Sequence, residues 1–302
     1  MLSRRLATLL LAAALVSPAL SPSQAVAATT VVYQPTLKAS LGSGQPARDF
    51  TEPFSSPAVG DLFGNGQKEI VTGALNGVVS VFDSSLHLLH ARNLGGAIQA
   101  SPTLADLNDD GRLEIVVPDR NGWVHVLNND LSDFGGHWPQ HSLYGMPWAN
   151  LHFTPDFFAS AAVGSLFGDG TQDVVATSWD HRVYAWDASG NPLGGFPINL
   201  WDTVSASPLL VDLEGRGQLD IVVGSDSLGP PTEPNPQGGE WWAFRPDGSL
   251  IWKRNQDEVP WSSPAAAILN PGDPFPSVVG ATGHYFAQTG HPAAGRYVNV
   301  YT

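Results

Sequence analysis

From residue 56 onward, short apolar runs alternate with polar, Gly-containing breaks, and no segment sustains a helical period. The first stretch shows the plan. Residues 57–61 form a brief apolar run, and 69–74 (Glu-Ile-Val-Thr-Gly-Ala) are β-branched. Asn76-Gly77 marks a tight hairpin, 78–82 (Val-Val-Ser-Val-Phe) a third strand and 86–92 a fourth. A later stretch repeats it with Asp173-Val-Val-Ala-Thr, Arg182-Val-Tyr-Ala-Trp186 and a turn at 187–191.

The plan recurs. Ser56-Pro57-Ala-Val-Gly-Asp61-Leu62, Ser101-Pro102-Thr-Leu-Ala-Asp106-Leu107, Ser160-Ala161-Ala-Val-Gly-Ser165-Leu166 and Ser207-Pro208-Leu-Leu-Val-Asp212-Leu213 align without gaps. A fifth copy begins at Ser263-Pro264 and has lost the acid. The anchors 61, 106, 165, 212 and 268 lie 45, 59, 47 and 56 residues apart, with the long intervals assigned to insertions at about 137–158 and 226–239. Four strands in a period near 45 predict an all-β fold, a β-propeller of four-stranded blades starting near 56, 101, 160, 207 and 263. A β-sandwich array and a β-solenoid are the alternatives. The fifth copy ends on a third strand, 296–302. One expectation is that the segment around 30–41 supplies the fourth and closes a five-bladed ring, hiding an edge. The other is that the chain is part of a larger propeller.

Composition narrows the function. Fourteen basic residues against 28 acidic ones, a net charge of −14, argue against nucleic acid, which needs clustered Lys and Arg. With no cysteine, disulfides, thiol catalysis and Cys-ligated metals are excluded. Residues 1–28 read as a secretory signal: Arg4 and Arg5, the apolar run Leu6 to Val16, then Ala25-Val26-Ala27. That run is too short to span a bilayer and no later one is apolar enough, so the expected product is a secreted monomer, residues 29–302.

The acidity has an address. In each of the first four copies an acidic loop of nine positions follows the first strand, and these loops hold 11 of the 28 acidic residues. The second is complete: Asp106, Asn108, Asp110 and Glu114 place oxygens at positions 1, 3, 5 and 9, and Arg112 its carbonyl at 7. Calcium prefers such hard donors, and Gly111 permits the sharp turn that gathers them. The first copy keeps Asp61, Asn65 and Glu69 but has Phe63 at position 3, and the third keeps Ser165, Asp169 and Asp173 but has Phe167 there. In the fourth, Arg216 at position 5 puts a cation into the cage formed by Asp212, Glu214 and Asp220. The competing reading is a set of polar turns whose side chains cap their own backbone.

The Asp106–Glu114 loop with its preceding Ser-Pro and following Ile-Val-Val, together with Phe63-Gly-Asn-Gly66, Phe167-Gly-Asp-Gly170, Val183-Tyr-Ala-Trp186-Asp187 and Gly194-Gly195-Phe196-Pro197, resembles the FG-GAP or VCBS repeats of extracellular β-propellers. These are related in blade pattern to the integrin α-subunit propeller. The resemblance runs from about residue 54 to the end and implies structural Ca²⁺ in the loops and a binding or adhesion role. The expected partner is an extracellular glycan or protein. Some related propellers cleave polysaccharides, so a lyase or glycoside hydrolase is the alternative. For ligand contact the insertion offers Trp138, Tyr144 and Trp148, and the last connector offers Trp261. Phe54, Ile98, Phe158, Val204 and Trp261 are expected to recur around a central channel, whereas Trp186, Trp241 and Trp242 fit packing between blades. His137, His141 and His152 lack the regular helical spacing of a zinc site. No nucleophile elbow, H-E-x-x-H or P-loop is present.

Overall fold

A computed structural model describes residues 55–143, 154–200, 202–226, 238–283 and 298–301, all within the unit Lys38–Thr302. The described regular structure is entirely strand, in five antiparallel meanders. The first holds β1 (Ala58–Gly60), β2 (Glu69–Gly73), β3 (Val78–Phe82) and β4 (Leu88–Asn93). The second holds β5 (Thr103–Ala105), β6 (Glu114–Pro118), β7 (Trp123–Leu127) and β8 (Gln140–His141). The third follows with β9 (Ala162–Gly164), β10 (Asp173–Ser178), β11 (Arg182–Asp187) and β12 (Ile198–Asn199). The fourth has β13 (Leu209–Val211), β14 (Asp220–Asp226), β15 (Gly239–Phe244) and β16 (Leu250–Gln256), and the fifth β17 (Ala265–Ala267), β18 (Ser277–Ala281) and β19 (Val298–Tyr301). The first strands of successive sheets lie side by side, β1 by β5, β5 by β9, β9 by β13 and β13 by β17. This is a β-propeller built of blades.

Two-residue alternation explains how blades hold one another. Ile115 and Val117 of β6 pack with Val71, Val79 and Val81 of the first blade, while Val116 between them packs with Val174, Ala176 and Trp186 of the third. Val175 and Val183 then face Ile221 and Val223, and Val222 turns the other way with Trp241 toward Val278. The central strands β6, β10, β14 and β15 are therefore buried on both faces, apart from the last residue of β14. Each fully buried aliphatic side chain contributes about 1.5–3 kcal/mol, so no blade buries its faces without its neighbours.

Three expectations change. The supposed insertion at 137–158 begins too early, because β8 at Gln140–His141 is the second blade's fourth strand. Gly135-Gly136-His137-Trp138-Pro139 is the counterpart of Gly194-Gly195-Phe196-Pro197, and both end in a cis proline peptide. Trp138 is consequently packed and not presented to solvent: it meets Trp186 edge to face, and its Nε1 donates to the Ala188 carbonyl at 2.9 Å. Ile98 and Val204 do not line a channel either, since both are buried between blades. Their counterpart three residues before Ser160 is Phe157, fully buried, and not Phe158, which stacks on Trp179. Trp186, Trp241 and Trp242 do pack between blades. The signal, the 30–41 segment, Phe54, Tyr144, Trp148 and His152 lie outside the described residues.

Candidate cation site in the second blade

Between β5 and β6 the chain must reverse within a few residues, and its acids hold the reversal. Asp106 accepts the amides of Asp110 (3.1 Å) and Gly111 (2.8 Å), and Asn108 Oδ1 accepts that of Asp110 at 3.1 Å. Asp110 in turn accepts the Arg112 amide at 2.9 Å. Two residues take left-handed backbone, Asp109 (φ 58°) and Gly111 (φ 82°), the second in the range where glycine is favoured. Glu114 opens β6 and is only 2 % exposed, with Oε2 accepting the Leu107 amide at 2.8 Å. Burial pushes its carboxyl up from the usual range, and the charges of Asp110 and Asp106 push the same way. The loop gathers negative charge around one small volume.

The sister loops share the scaffold. Asp61 accepts the amides of Asn65 and Gly66, and Glu69 accepts that of Leu62 at 3.0 Å. In the third loop Ser165 Oγ accepts from Gly170, Asp169 accepts from Thr171, and Asp173 accepts from Leu166. Burial raises Asp173 to about 6. Asp61, Asn65, Glu69, Asp169 and Asp173 thus sit in the loops where the sequence placed them. The Phe substitutions part company: Phe63 packs against the core between the first two blades, whereas Phe167 is exposed.

The fourth loop contains its own cation. Asp212 accepts the amides of Arg216 and Gly217, and Asp220 accepts that of Leu213. The Arg216 guanidinium then sits between Glu214 (2.9 Å) and Asp220 (2.5 Å). Arg245 closes on Glu214 from the β15–β16 hairpin through two hydrogen bonds of 2.9 Å. Together these cations hold the Glu214 carboxyl below its usual value, the Arg245 hydrogen bond being the largest influence.

These observations test whether a calcium ion suits the second loop. Its donors are all oxygens, and the equivalent space in the fourth blade already takes positive charge, in the form of Arg216. The donor set fits. Among the described residues no group of three or more Asp, Glu or His side chains is placed to hold a metal ion, and the acids of this loop accept backbone amides instead. Beside the loop lies a cavity of about 200 Å³ whose walls include Asp110, Arg112 and Glu114 on one side and Asn128, Asp130 and Ser132 on the other.

At the opposite end of the blades, where the second strand turns to the third, lie Asp119, Asp180 and Asp226. Asp119 shapes its turn by accepting the amides of Asn121 and Trp123. All three carboxylates also bind side chains: Asp119 contacts His125 Nε2 at 3.1 Å, and Asp180 accepts from Arg182 Nη1 (2.9 Å) and from the Tyr184 hydroxyl. Asp226 accepts from Trp261 Nε1 (2.8 Å) and Thr203 Oγ1 (3.0 Å). Repeat phase alone does not align this row, since Asp119 directly follows β6, Asp180 lies two residues beyond β10 and Asp226 is the last residue of β14. Trp261 leaves nearly half its surface (46 %) in solvent. His141 is not aimed at a metal: its ring nitrogens meet the carbonyls of Ser142 and Asn121.

Comparison with solved structures agrees on the fold. The biofilm matrix protein Bap1 of V. cholerae is similar at a TM-score of 0.60 and 17 % identity, over 88 % of this chain and 40 % of that one. Sqt1 of Saccharomyces cerevisiae is similar at 0.56 and 14 % identity, over 76 % of this chain and 57 % of that one. The chain therefore spans about half the length of these neighbours. No protein-family model matches the chain, and no curated protein is similar to it in sequence.

Proposed function

We propose that this is an exported, calcium-stabilised propeller that serves as a binding or scaffold module for an extracellular glycan or protein. The observation that carries the calcium reading is the pair of equivalent loops: one holds a guanidinium among its acids, the other keeps the acids without it. Asp106, Asn108, Asp110, the Arg112 carbonyl and Glu114 would hold the ion. A bound calcium supplies fixed positive charge that offsets carboxylates otherwise repelling one another. The protein's own contribution is the tight turn at Gly111 and the anchoring of Glu114 by the Leu107 amide.

The module reading draws support from architecture. Rigid blades present connectors at their ends, and loops on a rigid scaffold are where ligands meet propellers. Trp261 fits contact with a sugar ring or an apolar protein surface, its indole N–H fixed by Asp226 and much of the ring in solvent. Bap1, a biofilm matrix protein, gives a precedent for such a propeller in an extracellular matrix. Export is inferred from residues 1–28.

Calorimetric titration with Ca²⁺ tests the metal reading, using Asp110→Ala as the control. Heat from the wild type that disappears in the variant supports it; no heat from either rejects it. Glycan-array binding without release of product, weakened by Trp261→Ala, supports the module reading, and release of reducing or unsaturated ends by the purified protein overturns it.

A further inference from the structure

Where one blade's first strand meets the next, a steric rule governs the fit. The middle residue of β5, Leu104, packs into the cluster between the first and second blades, and Val163, Leu210 and Ala266 take the same position at the following junctions. The receiving surface is the pair that flanks the middle residue of the preceding blade's first strand. A Cβ at Gly60 would lie 2.9 Å from Leu104 Cδ1, and one at Gly164 3.1 Å from Leu210 Cδ1, so a small pair admits a large residue. Where the pair is large, Leu209 and Val211, the incoming residue is Ala266.

Both ends of this series are open. Val59 holds the middle position of β1 and is 59 % exposed. Ala265 and Ala267 flank the middle of β17, and both are exposed. Register sets Val279 and Val300 opposite Ala265, and Val298 opposite Ala281, on one face, with Val298 73 % and Val300 52 % exposed. Apart from the buried Ser277 that face is aliphatic, whereas a sheet face that meets water is normally polar. The hydrogen bonds from each repeat's serine amide to the next repeat's serine hydroxyl stop at the same two places. Among the described residues no amide donates to the Ser56 hydroxyl, and none accepts the Ser263 amide.

We propose that the open face of the fifth blade is a docking surface for a second copy of this chain. The incoming copy presents β1 and sets its Val59 between Ala265 and Ala267, a small pair for a larger residue. Its Ser56 hydroxyl takes the Ser263 amide, so the junction repeats those within the chain. Ser80 and Phe82, on the Val59 side of the first blade, are already buried, which leaves β1 and Ser56 as the part of that blade on offer. The contact runs head to tail, each pair keeps an open end, and assembly continues beyond two copies. This goes beyond the proposed binding role and does not depend on calcium. Chains of charge −14 repel one another, so the contact tightens as salt rises.

Light scattering on the full secreted chain, over a range of concentrations, reads the mass of the assembly. The wild type should rise from one copy to two and more, and further at higher salt. Val59→Arg blocks the head and Ala265→Arg the tail; both residues are exposed in the single chain, and circular dichroism verifies that each variant folds. Each variant alone should remain a single copy. Mixed, they should form pairs and nothing larger, because the intact tail of one meets the intact head of the other. Ser56→Ala keeps the Ser56 amide's bond to Ser101 and should weaken association by about three- to tenfold. A wild type that stays a single copy at every concentration overturns the proposal. So does a mixture that stays single or grows beyond pairs, since the contact would then lie on other surfaces.

Discussion

The amide of Ser101 donates to the hydroxyl of Ser160, 2.9 Å away across a separation of 59 residues. The same bond joins Ser56 to Ser101 (2.8 Å), Ser160 to Ser207 (3.1 Å) and Ser207 to Ser263 (3.2 Å). A serine that marks each repeat is therefore a link in a ladder running from blade to blade beside the inner strands. Removing one rung leaves an amide without its acceptor. Ser160→Ala should lower stability by about 1 kcal/mol, read from the urea midpoint, and Ser160→Thr, which keeps an oxygen, should lose less. Equal losses in the two variants would deny the ladder its energetic role.

Arg216 gives a second prediction. Its guanidinium meets Asp220, a carboxylate with no solvent exposure. Arg216→Ala leaves that charge uncompensated, and because the arginine itself is about a third exposed the expected loss is about 1–3 kcal/mol. Arg216→Asp restores an acid at the fifth position. Its melting temperature should rise on adding Ca²⁺ by more than that of the wild type, since the fourth loop would then take metal. A calcium response unchanged by Arg216→Asp would sever the equivalence of the two loops.

Gly168 tests the packing of neighbouring loops. It holds φ at 70°, and a Cβ there would overlap the Gly217 carbonyl oxygen of the next blade. Gly168→Ala should cost about 1–3 kcal/mol through backbone strain and the displaced loop. Gly170 also has positive φ but open space around it, so Gly170→Ala isolates the backbone part and should cost less by chemical denaturation.

Asp226 gives a pH dependence. Burial raises its carboxyl above the ordinary 3.8, with the Trp261 and Thr203 hydrogen bonds opposing the shift. The folded state thus binds the proton more tightly than the unfolded chain, and burying the ionised form costs stability. That cost is absent below pH 3.8, grows as pH rises through the folded value and is complete above it. Asp226→Asn does not titrate and keeps one acceptor. The stability difference, variant minus wild type, should therefore move upward from pH 3.5 to pH 7, a range of about three and a half units chosen to bracket the transition. A flat difference across thermal melts at those pH values contradicts the assignment.

Legibility followed the range of the interaction. The strands of the first blade, the Asn76-Gly77 hairpin and the acids of the loops were readable because their causes lie within a few residues: β-branched runs, turn chemistry, an Asp that caps the amides four and five positions on. Arg216 in its cage was readable for the same reason. Trp138 was misread as a ligand platform because its partner Trp186 lies in the next blade, and nothing near residue 138 announces that contact. Phe157 was passed over for Phe158 because repeat phase alone does not tell which of two adjacent aromatics turns inward.

The chain by itself determined the repeat, the all-strand character and the place of the acidic loops, since each is written in residues close enough to constrain one another's backbone. Only the tertiary structure decided which face of each strand meets which neighbour, why a serine recurs before every first strand, and that a hairpin after the third strand shares a cavity with the loop before the second. Those outcomes depend on groups separated by tens of residues, from Ser160 and Ser207 at 47 to Ser101 and Ser160 at 59, and become neighbours only when blades stack. The burial that stabilises a blade is supplied by the blade beside it.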